Sequence, residues 1–312
     1  MKKRILTVSS AYILIGMGVD RIPEAGESLP QHGSVSYSPG GAGTNTAIAL
    51  RKLGAESVFC ARIGRDPHGE TLYDYYKDSG VDVSHLAIDR ENPTGCAVLL
   101  SVEDEGEART VRYPGANLLL SESDVDNAFA SCPDALCLQA DIGDATLLYA
   151  ADYAARHEIP IFFDAGPGRR ELPLEKLPPL KVFCADDKEV EMYTGVFPRG
   201  ADSCLAATME LLHRIKTDYV VIKLGDRGAF VCNGRHFKFQ AAFPVKEIHQ
   251  GGAGDGFFAA LTLRLLDEGA DIGEAMRYAT AVGAMTVMRE GEAYALPDAD
   301  EVARFLKTNE AL

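Results

Sequence analysis

Apolar residues fall along this chain in short bursts, and the length of each burst separates strands from helices. Residues 5–8, Ile-Leu-Thr-Val, form a mostly apolar run that reads as a buried strand. Comparable runs recur at 57–61, 135–139, 161–164, 181–183 and 219–223. Between them lie segments with helical periodicity at 44–53, 67–78, 144–157, 188–193 and 203–214, and three more close the chain near 254–268, 271–288 and 298–308. Alternation of this kind predicts a doubly wound α/β fold, a mostly parallel sheet with helices on both faces. Ligands of such sheets bind beyond the carboxyl ends of the strands. Residues 229–232 and 236–240 read as a hairpin, and residues 242–246 as an extended segment.

Two stretches break the alternation. Residues 12–38 are rich in Gly, Pro and Ser, with strand-like alternation at 34–38. Residues 95–115 read as a β-hairpin with an acidic tip, Glu103-Asp104-Glu105-Gly106. Together these insertions predict a small sheet standing off a single domain spanning 1–312, as a lid would.

Composition narrows the function classes. Hydrophobic residues make up 46% of the 312 and charged residues 25%, the profile of a soluble globular protein. A net charge of −15 argues against nucleic acid or an anionic membrane as the main partner. No stretch has the length of a membrane helix. Seven scattered cysteines, an odd number without a C-x-x-C pair, fit free thiols in the cytoplasm.

Candidate chemistry gathers in two glycine-dense turns, each opening a helix. Gly40-Gly41-Ala42-Gly43-Thr44-Asn45 lets backbone approach a ligand, and Asn45 offers donors and an acceptor suited to hydroxyls, although an Asn there also fits a helix cap. In Gly251-Gly252-Ala253-Gly254-Asp255-Gly256 the free N–H groups and dipole of the helix end make an anion site. Asp255 within that first turn suits a base for phosphoryl transfer, against the plainer reading of a dipole-satisfying acid. Neither turn has the spacing of a dinucleotide fingerprint, and no Gly is followed by Lys, which excludes a P-loop.

These turns, with Ile63-Gly64-Arg65-Asp66-Pro67-His68-Gly69, Pro93-Thr94-Gly95, Gly115-Ala116-Asn117, Lys223-Leu224-Gly225-Asp226-Arg227-Gly228, Gly291 and Pro297, resemble in order and spacing the PfkB, or ribokinase-like, carbohydrate kinases. The resemblance spans almost the whole chain. It implies ATP- and Mg²⁺-dependent phosphorylation of a sugar hydroxyl. By the resemblance Asp255 would be the base, and the amides of Gly252, Ala253, Gly254 and Asp255 the anion hole. Gly40, Gly41, Asn45, Asp141 and Tyr12 would bind the sugar. Lys223, Gly225, Asp226 and Gly228 would lie near the ATP phosphates, Thr280 and Gly283 in the last turn of a helix against the adenine, and Asp186 and Glu189 near the metal. Tyr12 and Leu14 occupy positions where the family keeps Asn and Asp. His249 and Gln250 occupy its Asp and Thr, which argues against a monovalent cation (K⁺) site; His249 alone reads as a structural residue closing a strand. A nucleoside or other non-sugar kinase, or a catalytically decayed sugar-binding regulator, are the alternatives. An open lid edge invites a homodimer.

Overall fold

A computed structural model describes residues 2–30, 35–102, 108–169 and 171–309. The predicted acidic tip at 103–106 and the first residue of the alternation at 34–38 lie outside the described residues. The chain runs β1 (Arg4–Val8), β2 (Tyr12–Val19), β3 (Val35–Gly40), α1 (Ala42–Lys52), β4 (Glu56–Cys60), β5 (Arg62–Gly64) and α2 (Pro67–Asp78). It continues through β6 (Ala87–Asp89), β7 (Gly95–Val102), β8 (Ala108–Tyr113), α3 (Glu122–Phe129), β9 (Ala135–Gln139), α4 (Asp144–Arg156) and β10 (Ile161–Asp164). Then come β11 (Leu180–Asp186), α5 (Asp187–Thr194), α6 (Ala201–Arg214), β12 (Thr217–Lys223), β13 (Ala229–Cys232) and β14 (Phe237–Gln240). Helices α7 (Ala253–Leu265), α8 (Ile272–Val287) and α9 (Ala299–Thr308) end it.

The main sheet has the order β14-β13-β12-β11-β10-β9-β1-β4. Its pairs from β4 to β12 are parallel, and β13 and β14 add an antiparallel edge. Side chains alternate between two cores, as the two-residue period of a strand requires. Ile5, Phe162, Val182 and Val221 pack with α1, α7 and α8, whereas Leu6, Phe163, Phe183 and Val220 pack with α3, α4 and α6.

The two insertions do meet in one sheet, in the order β3-β2-β7-β8. Asn117 anchors its entry: the side chain accepts from the Ala11 N–H at 2.8 Å and donates to the Ala11 and Pro114 carbonyls at 2.9 Å each.

Three sequence expectations need correction. Helix α3 was not anticipated, although Ser121 and Asp124 form a reciprocal capping box at its start. The segment expected to be extended at 242–246 joins no strand, so His249 closes none. Instead the Ile248 and His249 N–H groups bond the Val287 carbonyl at the end of α8, at 2.7 and 3.1 Å. Thr280 and Gly283 lie within α8 rather than in its last turn, since that helix runs from Ile272 to Val287.

Candidate active site

The parallel strands deliver charge to one end of the sheet. Asp164, Asp186 and Lys223 are the last residues of β10, β11 and β12, and Asp141 follows β9 by two residues. They line a cavity of about 350 Å³ that the lid covers from the other side with Tyr12, Leu14, Ala97, Leu99, Thr110 and Arg112. Helix α7 enters this cavity at its N-terminus.

Gly252 is the N-cap of α7, in the left-handed conformation at φ 80°, where a side chain would strain the backbone. The first intrahelical bond runs from Gly256 N–H to the Gly252 carbonyl, so the Gly254 and Asp255 N–H groups precede the ladder. The Ala253 N–H has a long bond of 3.4 Å to the Gln250 carbonyl. Residues Gly256 to Thr262 are buried, which makes the helix a rigid mount.

Asp255 faces α1. The Asn45 Nδ2 donates to Asp255 Oδ2 at 2.8 Å and reaches Glu292 Oε2 at 3.4 Å. Asn45 is therefore no helix cap: Gly41 caps α1, and Asn45 lies one turn in. Because its amide nitrogen faces two carboxylates, its Oδ1 is free, and that buried oxygen has no partner among the described residues. Burial raises the Asp255 carboxyl to about 7; the Asn45 bond opposes this, and the nearby Asp164 adds to it.

A second buried group stands beside this turn. Lys223 Nζ bonds both Asp164 oxygens, at 3.0 and 2.7 Å. Burial alone would lower the Lys223 pKa, but the Asp164 carboxylate holds it well above its ordinary value, so the ammonium stays charged. A Cβ on Gly254 would lie 3.4 Å from Lys223 Nζ, which places the ammonium against the first turn of α7.

Asp186 and Glu189 cap α5 reciprocally, with Glu189 N–H to Asp186 Oδ1 at 2.7 Å and Asp186 N–H to Glu189 Oε2 at 2.8 Å. The other Glu189 oxygen accepts from the Gly168 N–H at 3.1 Å. Burial raises the Glu189 carboxyl to about 7, Lys223 opposes the rise, and Asp164 and Asp186 add to it. Among the described residues no three such side chains converge into a direct metal cage. The oxygen donors of Asp186 and Glu189 fit Mg²⁺ held mainly through water and phosphate.

Asp141 is tied to the β1–β2 connection, accepting from the Ser9 hydroxyl at 3.0 Å and from the Ser10 hydroxyl. Burial raises its carboxyl. Tyr12, the first residue of β2, is almost wholly buried, and burial with Asp141 nearby pushes its phenol up to about 12. His249 Nδ1 accepts from the Gly251 N–H at 3.0 Å and so serves its own turn.

Of the residues singled out in the sequence, Tyr12, Gly41, Asn45, Asp141, Asp186, Glu189, Lys223, Gly252, Gly254 and Asp255 converge on the cavity. Gly40, Ala253, Gly225, Asp226, Gly228, Thr280 and Gly283 do not line it. Gly225 and Asp226 lie in an exposed turn just past β12, and Thr280 is buried in α8 with its hydroxyl on the Met276 carbonyl. Asp164, Glu292 and Arg112 line the cavity but were not singled out as site residues.

Known proteins share this fold. A solved structure of Arabidopsis thaliana ribokinase, described as complexed with ribose and ATP, superposes with a TM-score of 0.87, at 25% identity over 98% of this chain and 99% of that one. The ribokinase of Haemophilus influenzae is 28% identical over 310 residues, covering 98% of this chain and 99% of its own. A bifunctional ribokinase/ribose-5-phosphate isomerase A of Fructilactobacillus sanfranciscensis is 25% identical over 311 residues, and the chain spans 57% of that protein's length. Residues 2–299 match the model of the pfkB family of carbohydrate kinases, and the chain belongs to that family.

Proposed function

We propose that the protein transfers the γ-phosphoryl group of ATP in line to a hydroxyl of a sugar, with Asp255 as the base. The observation that carries this reading is a partly buried carboxyl, raised to about 7 and tethered by Asn45, inside the first turn of a rigid helix. A carboxyl raised to about 7 is basic enough to accept a proton while a substantial fraction remains ionised near neutrality. The amides of Gly254 and Asp255, with the helix dipole, would stabilise the transferring phosphoryl group beside the Lys223 ammonium. Among its supports is the fit of the cavity to a polyol: the free Asn45 Oδ1 and several carboxylates accept hydrogen bonds, and sugar hydroxyls supply donors.

ATP would lie along Lys223 and the turn of Gly225, Asp226 and Gly228, with its base toward Thr280 and Gly283. Asp186 and Glu189 would hold Mg²⁺ through water, and the bound ion supplies charge neutralisation on the phosphates. Tyr12, Gly40, Gly41, Asn45 and Asp141 would receive the sugar. We place the protein in the cytoplasm as a lid-to-lid homodimer. Five of its seven cysteines are buried and unpaired, and the outer lid face exposes Val35, Tyr37, Val98, Val111 and Tyr113.

A coupled ADP-release assay across pentoses, hexoses, sugar acids and nucleosides, with and without K⁺, tests the reading. Sugar-stimulated ADP release is the expected result. No release with any acceptor would instead favour a sugar-binding regulator, and release with nucleosides alone would favour a nucleoside kinase.

A further inference from the structure

One partly buried carboxylate in the cavity has no role in the mechanism above. Glu292 sits in the short turn between α8 and α9 and has a left-handed backbone at φ 46°, directly after Gly291 at φ 102°. Few non-glycine residues adopt this conformation, so its place is set by the surrounding fold. Its side chain lines the cavity.

The contacts of Glu292 are too few for a purely structural acid. Oε2 has the long 3.4 Å bond from Asn45 Nδ2, and the carboxylate accepts from the Gly41 backbone. No lysine or arginine forms an ion pair with it among the described residues. His249 flanks it across Gly251, but the Nδ1 of that imidazole is already engaged by the Gly251 N–H. A partly buried carboxylate with so few donors around it keeps acceptor capacity for a ligand.

The position of Glu292 shows where such a ligand would sit. A Cβ built on Gly40 would collide with Leu14 Cδ1 and lie 2.7 Å from Glu292 Oε2, so the carboxylate abuts the lid at Leu14. The six lid side chains in the cavity include no carboxylate. Glu292 therefore brings one to the lid-side wall from the far end of the chain. Beside it stands Asn45 Oδ1, buried and without a partner.

Resting on the kinase reading, we propose that Glu292 and Asn45 Oδ1 together bind adjacent hydroxyls of the acceptor, and that Glu292 sets the preference of the site for a vicinal diol. A carboxylate has two oxygens to accept from neighbouring hydroxyls, which a lone amide oxygen cannot match. Glu292 is thus an acceptor-binding residue distinct from the base.

The test uses the full-length protein and an acceptor that the wild type phosphorylates, compared with deoxy analogues each lacking one hydroxyl. For Glu292→Ala and the isosteric Glu292→Gln, acceptor KM should rise about 10- to 100-fold while ATP KM stays within about twofold. The variants should also lose the wild type's discrimination against one deoxy analogue. Leu14→Asp should weaken acceptor binding in the wild type, where it crowds a second carboxylate against Glu292. The same change should improve binding in the Glu292→Ala background. Melting temperatures measured in parallel separate folding damage from binding. An unchanged acceptor KM, or an equal rise for parent and deoxy analogues, overturns the inference while leaving the kinase reading intact. No ADP release by the wild type with any polyol overturns both.

Discussion

The cavity has two walls built on opposite plans. Its floor is the carboxyl edge of the main sheet, where strands are covered on both faces and charges are held by named partners. Asp164 is 1% exposed and ion-paired to Lys223, and Asp255 is held by Asn45. The other wall is the four-stranded lid, whose outer face is open except where Ile13 and Ile15 pack against the main core. Its outer side leaves Tyr37 65% and Val111 73% exposed, and its inner side offers mostly aliphatic and neutral groups. A preorganised charge has to be rigid when the reaction begins, whereas a surface that admits a substrate has to open. Under the proposed reading, phosphoryl chemistry belongs to the floor and acceptor choice to the lid side, and each half can be perturbed separately.

The largest effect belongs to the floor. Asp255→Asn keeps the shape and the Asn45 neighbour but removes the carboxylate proposed as the base, so turnover should fall about 100- to 10,000-fold in steady-state assays. ATP affinity by titration calorimetry should change little. Near-wild-type turnover would remove Asp255 from the mechanism. Lys223→Met comes next, because it strands Asp164 in the interior. Breaking such a buried pair costs about 3–5 kcal/mol, so denaturant midpoints should fall together with activity. A stable, fully active Lys223→Met protein would show that the pair is not part of the machinery.

The raised Asp255 carboxyl gives a third, smaller test with a defined sign. Its folded pKa, about 7, lies above the ordinary carboxylate value of 3.8, so the folded state holds the proton more tightly than the unfolded chain. Stability from this group is complete below the unfolded value and declines as pH rises through about 7. Asp255→Asn should therefore stabilise the fold at pH 8 by on the order of 1 kcal/mol, with less gain at pH 5. In the wild type, kcat/KM should rise with pH on the same limb. A flat profile, with equal melting shifts at both pH values, would contradict the buried-base picture.

How the two walls were legible in the sequence differs for the same reason. The first turn of α7 could be read because its chemistry is local: glycines, a carboxylate and an apolar run are contiguous. Asn45 was legible from its glycine-rich turn, Asp141 only through the family resemblance, and the structure brings both to the cavity. The Asp164–Lys223 pair was not legible, since its members are 59 positions apart and each looks like an ordinary strand end. Glu292 was hidden differently: Gly-Glu-Ala in a turn has no periodicity or cluster, and only the folding of that turn onto Gly40 and Leu14 gives it meaning. The lid pairing was legible as two interruptions of the alternation. Helix α3 went unread although the Ser121/Asp124 capping box at its start is a local signal.

The Asn117 anchor at the entry of the lid should respond more mildly than the floor. Asn117→Ala removes three hydrogen bonds at the start of the lid, two of them to Ala11. Stranding those buried backbone groups costs about 1–3 kcal/mol. The change should raise acceptor KM more than it lowers kcat, because Asp255 and Lys223 keep their partners. A kcat loss as large as that of Asp255→Asn would mean that the two walls are not separable.

The smallest effect is expected at the outer lid face. Val111 is 73% exposed, so Val111→Ser should leave monomer stability within about 0.5 kcal/mol. Its place in the register nevertheless puts it opposite Val98, in a row that continues through Ile15 to Tyr37. A polar side chain in that apolar row would weaken a lid-to-lid contact while leaving the cavity face untouched, because successive strand residues point to opposite sides. Sedimentation should then show a shift toward monomer at concentrations where the wild type is dimeric. Turnover should persist at high concentration, since no floor residue is disturbed. A wild type that is monomeric at all concentrations would show that this apolar face serves some other purpose than dimerisation. A Val111→Ser protein that monomerises and also loses turnover would show that the lid needs its twin in order to close.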